Sequence, residues 1–258
     1  MSNYEELRKS MGANQYVLPI GLRNEDGTVC RVVTMRPMTG KTEEILTDNK
    51  NRENPIRALI DVIADVVVSI EGVPRVTRDV IRQLDAKDLE FLLVANYLTS
   101  FDDEFSFVSK HVDCKGKNEV VVDLKARLDE VKPLEDEQQR ELTFDLPRGY
   151  TDRDGQLHKT ITIVPPTAFV QEQTYKQLRI NSASAVSKLL TLVTKQLGTI
   201  THPNPDVFKE MTKKDRTFIT KQLEELYDYG VDLKVDLVCS SCGEEYTDVI
   251  PTTGLLGE

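Results

Sequence analysis

The sequence predicts an α+β protein made of two tandem diverged copies of one module, each a β-hairpin followed by helices and a zinc-ribbon-like strand and turn. Three observations predict this. One segment recurs after 128 residues, a second repeats its apolar residues at helical spacing in both halves, and a Cys-x-x-Cys-Gly turn follows an alternating run.

The hairpins come first. An ungapped shift of 128 lays residues 18–37 over 146–165, and seven of twenty positions are identical, where average composition gives roughly one. The identities are Leu18/Leu146, Pro19/Pro147, Gly21/Gly149, Asp26/Asp154, Gly27/Gly155, Thr34/Thr162 and Pro37/Pro165. Asp-Gly in mid-segment is a hairpin turn signal because glycine accepts positive φ. The β-branched runs that follow, Val29 to Thr34 and Leu157 to Ile163, suit the return strand.

The helices come next. With the shift reduced to 127, Leu59, Val62, Ile63, Val66 and Ile70 meet Val186, Leu189, Leu190, Val193 and Leu197. Asn54 before Pro55 reads as an N-cap with proline at the first helical position, and Gly198 as the residue closing the matching helix. A second helix is expected near Asp85 and near Thr212. Each is followed three residues later by an aspartate, Asp88 or Asp215, whose charge suits a first helical turn. Thr39 or Thr42, with Glu43, begins a further helix.

The closing strands lead to the cysteines. Leu233, Val235 and Leu237 alternate into Cys239-Ser240-Ser241-Cys242-Gly243, half of a zinc ribbon, since such a turn aims two thiolates at one point. Matching Val112-Asp113-Cys114 to Leu237-Val238-Cys239 puts Lys117 where the second cysteine would stand, so the first copy's half-site reads as degenerate. Zinc needs four ligands, and the spacing of Cys114, Cys30, His111, His158 and His202 selects no pair. The expectation is therefore a structural turn at Cys239 and Cys242, with Cys114 an uncertain third ligand. Zinc and a labile disulfide are the alternatives to a relic held by glycine and hydrogen bonds. Redox catalysis is disfavoured, because such motifs open a helix, whereas here Tyr246, Val249 and Ile250 return to a strand.

This organisation divides the chain into a first module, 1–124, an acidic linker, 125–143, and a second module, 144–258, that carries the Cys-x-x-Cys turn. Tyr97, Phe101, Phe105 and Phe107 cluster at the end of the first module, with Tyr227 and Tyr229 in the matching place of the second. They read as core under the closing strands or, at Phe101, Phe105, Tyr227 and Tyr229, as partner-binding anchors.

The bulk numbers restrict function. The 43 acidic against 33 basic residues give a formal charge of −10, which repels a phosphate backbone. The most apolar stretch, residues 58–70, is broken by Asp61 and Asp65 and is too short to span a bilayer. Residues 1–10 do not read as a secretion signal, so a cytoplasmic location is expected. No catalytic constellation stands out. Gly40-Lys41-Thr42 lacks the glycine five residues earlier that a phosphate loop requires, since Met35 stands there, and the three histidines gather near no nucleophile. Asp102-Asp103-Glu104 lacks calcium-loop spacing and reads as a solvated turn.

Leu18-Pro19-x-Gly21, then Arg36-Pro37-Met38-Thr39-Gly40-Lys41-Thr42-Glu43-Glu44, together with residues 84–91 and the cysteine turn at 238–243, resemble the baseplate hub assembly chaperone family of contractile-tailed phages and related injection systems. The resemblance implies a non-catalytic assembly factor or minor baseplate subunit acting by contacts with other tail proteins. It would lie in the host cytoplasm during assembly or in the virion tail, with no cofactor or with zinc. The alternative, which the ribbon turn favours, is a zinc-ribbon adaptor on nucleic acid or a transcription complex.

Overall fold

The computed structural model of the chain describes residues 3–24, 26–134, 140–226 and 229–257. It is α+β, with eleven helices and four small antiparallel sheets among those residues.

After a short helix α1 (Asn3–Lys9), strands β1 (Gln15–Arg23) and β2 (Val29–Met35) form the expected hairpin. Its register shifts between Val17 and Leu22, and Gly21 sits in this bulge at φ +83°. A Cβ there would come within 2.9 Å of the Cys30 carbonyl oxygen, so glycine is required both for the conformation and for the close approach. Helix α2 (Gly40–Thr47) starts at Thr39, whose backbone N–H donates to Thr42 Oγ1. It leads through the single turn α3 (Asn49–Arg52) to α4 (Pro55–Val66), capped by the Asn54 side chain.

Residues 67–70 leave the helix and form β3 (Val67–Ile70), which pairs with β2. Ile70 thus belongs to a strand, although its spacing continues the helical stripe, because the β2 edge offers hydrogen bonds at that point. Helices α5 (Arg78–Gln83) and α6 (Ala86–Ser100) follow, and α6 carries Asp85 as its cap. Strands β4 (Glu104–Lys110) and β5 (Lys117–Asp123) then make a two-stranded ribbon, and α7 (Leu124–Asp129) closes it.

The second half runs in the same order. Strands β6 (Leu142–Thr151) and β7 (Leu157–Ile163) form a hairpin whose register shifts between Asp145 and Tyr150, with Gly149 at φ +86°. Helices α8 (Ala168–Leu178) and α9 (Ser182–Val193) follow, and β8 (Thr194–Leu197) pairs with β7 as β3 pairs with β2. Gly198 therefore does not close α9, which ends at Val193. It lies in the turn to β9 (Ile200–Thr201), where a Cβ would collide with the His158 ring. Helices α10 (Pro205–Glu210) and α11 (Lys213–Glu225) lead to the ribbon β10 (Lys234–Val238) and β11 (Glu245–Val249), and a 3-10 turn (Gly254–Leu256) ends the chain.

The two halves are buttressed alike. Asp88 is fully buried, and its two carboxylate oxygens accept the Ile20 and Gly21 N–H groups, which the β1 bulge takes out of the ladder. Asp215, equally buried, accepts the Arg148 N–H beside Gly149 and the Thr212 hydroxyl. Both aspartates are thus tertiary clasps between helix and bulge, a stronger role than the helix-dipole one that their first-turn positions suggested.

Two large cores result. The first holds α4, α6 and the β1–β3 sheet, and it also takes Val231, Leu233, Ile250, Leu255 and Leu256 from the end of the chain. The second lies around Ile161, Ile163, Leu190, Phe208 and Ile219. Within the acidic stretch 125–143, Leu128, Val131 and Leu134 are buried, while residues 135–139 lie outside the described residues.

Candidate metal centre

The β4–β5 and β10–β11 ribbons stand against each other, and the turn at the end of each carries part of one cluster. Residues 111–116 (His-Val-Asp-Cys-Lys-Gly) and 239–244 (Cys-Ser-Ser-Cys-Gly-Glu) adopt the same hydrogen-bonded knuckle. In the first, the His111 N–H donates to the Gly116 carbonyl (2.9 Å) and the Lys115 N–H to the His111 carbonyl (2.9 Å). In the second, the Cys239 N–H donates to the Glu244 carbonyl (2.9 Å) and the Gly243 N–H to the Cys239 carbonyl (2.8 Å). Lys115 and Gly243 occupy the same left-handed position, at φ +60° and +77°.

This pairing corrects the sequence alignment. His111 stands opposite Cys239 and Cys114 opposite Cys242, so the register is three residues from the one that matched Cys114 to Cys239. The first half-site is not degenerate at Lys117; it reads His-x-x-Cys. The alignment slipped because one apolar match, Val112 with Leu237, and one cysteine match outweighed a histidine that substitutes for a thiol in ligation but not in a residue match.

Four donor groups meet here: His111, Cys114, Cys239 and Cys242, whose ligand atoms all lie within 4.8 Å of one another. His111 Nδ1 is 3.3 Å from both Cys114 Sγ and Cys242 Sγ, and Cys114 Sγ is 3.4 Å from Cys239 Sγ. A tetrahedral zinc ion with bonds of about 2.3 Å to sulfur sets its sulfurs roughly 3.8 Å apart, so these separations are close to those of a ligated ion. Three thiols and one imidazole form a soft donor set of the structural zinc type, and four protein ligands leave no position open for substrate.

The surroundings hold these donors in place. His111 is buried, its ring stacks on Tyr246 with centroids 4.7 Å apart, and Nε2 points to Asp113 (3.7 Å) and Glu244 (4.0 Å). The Tyr246 ring holds the imidazole from its face, while both carboxylates lie beyond direct hydrogen-bond distance of Nε2. Gly116 lets the knuckles approach, since a Cβ there would lie 2.9 Å from Cys239 Sγ and 2.7 Å from Ser241 Oγ. Between the ribbons, Asn118 donates to the Val238 carbonyl and accepts the Ser240 N–H, and Ser109 bonds Tyr246 and Asp248. Burial opposes ionisation of Cys239, but the Ser241 and Cys242 N–H groups and the neighbouring thiols outweigh it and draw the thiol down to about 6. At Cys242 the Glu244 N–H favours the thiolate, but burial and the hydrogen bonds with the Cys114 and Cys239 thiols outweigh it and hold the thiol up.

The other sequence candidates lie elsewhere. Cys30 is buried under the first hairpin with Asn24 Nδ2 3.1 Å away, and His158 is buried under the second with Nε2 2.9 Å from Asp152. His202 is an exposed turn residue at φ +47°. Among the aromatics, Phe101 is 51% exposed, whereas Phe105 (6%) and Tyr229 (8%) are buried; Tyr227 lies outside the described residues. Phe105 packs edge-on to Tyr97 in the first core, and Tyr229 packs with Ile20 and Leu134. No helix is long and apolar enough to cross a membrane among the described residues.

Comparison with known families gives one result: a family model described as T4 bacteriophage base plate protein matches residues 15–255. No curated protein and no solved structure matches the chain.

Proposed function

The chain belongs to the T4 bacteriophage base plate protein family, and on that premise we propose that it is a non-catalytic baseplate assembly factor or minor structural subunit that works by contacts with other tail proteins. The observation that carries this reading is the family match across nearly the whole chain, on a fold whose cluster of three thiols and one imidazole has the donor set of a structural metal site. The parallel order of elements, the paired bulges and the paired aspartate clasps support a duplicated module, and two similar units in one chain suit contact with neighbours in a symmetric particle.

In this reading zinc is a staple rather than a reagent. His111 and Cys114 come from the ribbon of the first half, Cys239 and Cys242 from that of the second, and one ion would tie the end of each half to the other. Of the aromatic anchors expected from the sequence, Phe101 at the end of α6 is the exposed one among the described residues and is available for partner contact.

The test is genetic and biochemical together. A phage lacking this chain is expected to accumulate incomplete tails, and affinity-tagged chain from infected cells to bring down baseplate subunits. Intact tails from the deletion mutant would overturn the reading. Tight DNA binding that weakens steeply with salt, without tail subunits, would favour the nucleic-acid adaptor instead.

A further inference from the structure

The two halves dock asymmetrically, and the asymmetry leaves one docking surface uncovered. The segment that opens α8 lies on the first half at the α5–α6 junction. There Asp85 and Thr167 form an isolated antiparallel bridge, with the Ala86 N–H donating to the Pro166 carbonyl (3.0 Å) and the Ala168 N–H to the Leu84 carbonyl (2.9 Å). One turn further along, buried Glu172 takes ion pairs from Arg78 (2.5 Å) and Arg82 (3.1 Å).

The corresponding surface of the second half is found by the shift of 127 residues that relates α4–α6 to α9–α11. Leu84, Ala86 and Arg82 become Met211, Lys213 and Lys209. At this place the structure has an open groove of about 800 Å³, floored by Val186 and Met211 and rimmed by Lys213, Arg216 and Lys221, with Glu224 the one acidic residue of its lining. No element of the described chain takes the place that α8 takes on the first half.

The counterpart of the docking segment is found by the shift of 128. Pro166, Thr167, Ala168 and Glu172 become Met38, Thr39, Gly40 and Glu44, at the start of α2. Gly40, Glu43 and Glu44 are all exposed. Here the charges match: α2 presents Glu43 and Glu44, its Lys41 being turned to Asp65, and the groove presents three cations against the single carboxylate of Glu224 on a chain of net charge −10.

We propose that the α9–α10–α11 groove receives the Met38–Thr47 segment of a second copy of this chain. This inference rests on the duplicated-module reading. In the complex, the Met38 carbonyl and Gly40 N–H of the incoming copy bridge the Lys213 N–H and Met211 carbonyl, as Pro166 and Ala168 bridge Ala86 and Leu84. Glu44 meets Lys209, as Glu172 meets Arg82. The contact joins unlike surfaces, so it is heterologous and propagates head to tail unless geometry closes it into a ring.

Sedimentation velocity of the full chain, from micromolar to near-millimolar concentration, tests this without any tail component. The expected result is concentration-dependent association that weakens at least about tenfold in Glu43→Lys/Glu44→Lys and in Lys209→Glu/Lys213→Glu, because each reversal sets like charges in the contact. All four side chains are exposed, so both variants should melt like the wild type. Mixing the two variants restores opposite charges in both kinds of contact, with the signs exchanged in one of them, and should recover association that neither variant shows alone. A wild type that stays monomeric overturns the proposal, as does association unaffected by both pairs of reversals. A monomeric wild type whose groove variant alone loses capture of another tail subunit gives the groove to that subunit and overturns the second-copy assignment, while leaving the baseplate reading intact.

Discussion

Removing the metal centre should destabilise the whole chain, because the site closes a very long loop. His111 and Cys242 are 131 residues apart in sequence and 3.3 Å apart in space. A cross-link across roughly 130 residues removes loop entropy from the unfolded chain worth about 5 kcal/mol in the chain-entropy model. That is a large share of the about 5–15 kcal/mol that stabilises an ordinary domain. For a chain of this size about 1 kcal/mol corresponds to roughly 2–4 °C, so Cys242→Ser, or chelation under reducing conditions, should lower the melting temperature by roughly 10–20 °C. The assay is thermal unfolding of protein purified with zinc, with the metal content measured on the same samples and one atom expected per chain. Lys117→Ser serves as control, since Lys117 is exposed and outside the cluster, and it should change neither quantity. His111→Cys should keep the metal. Protein purified with zinc that retains no metal, together with a Cys242→Ser melting point within about 2 °C of wild type, would refute the reasoning.

Four shorter predictions follow from the same structure. Gly21→Ala and Gly149→Ala should each cost about 2 kcal/mol or more in urea unfolding, since both sit at positive φ and a Cβ would meet a carbonyl oxygen at 2.9 or 2.7 Å. Asp88→Ala should cost about 2–4 kcal/mol, because it leaves two buried N–H groups without an acceptor; a wild-type-like midpoint would show the clasp to be dispensable. Burial, with the nearby Asp85 charge, raises the Asp88 carboxyl to about 7, against roughly 4 in the unfolded chain. The native state then holds the proton more tightly, so this group's contribution to stability falls as pH rises between about 4 and 7. That slope should be missing from the pH profile of Asp88→Asn. Phe105→Asp should unfold the first core at a cost above about 3 kcal/mol, whereas Phe101→Asp, which loses the stacking of a half-exposed ring on Tyr97, should cost about 1 kcal/mol and abolish partner capture.

The hairpins and the starts of the main helices were legible because their signals are local. Asp26-Gly27 and Asp154-Gly155 specify turns, Asn54 caps α4 through its own side chain, and Asp85 and Thr212 do the same at α6 and α11. The ends of α4 and α9 were not legible. Residues 67–70 and 194–197 keep helical apolar spacing, and only the neighbouring β2 and β7 edges turn them into strands.

The cysteines divide in the same way. Sequence alone marked the turn at Cys239 and Cys242 as structural, since a knuckle needs only six consecutive residues. Its partner, His111 with Cys114, was decided by tertiary structure. More than a hundred residues separate the two knuckles, no spacing rule spans that distance, and only the stacking of one ribbon on the other brings the four donors to one point. The uncovered groove on the second half belongs to the same category. Its lysines are ordinary surface charges in the sequence, and they acquire meaning only because the first half shows what docks on the matching surface.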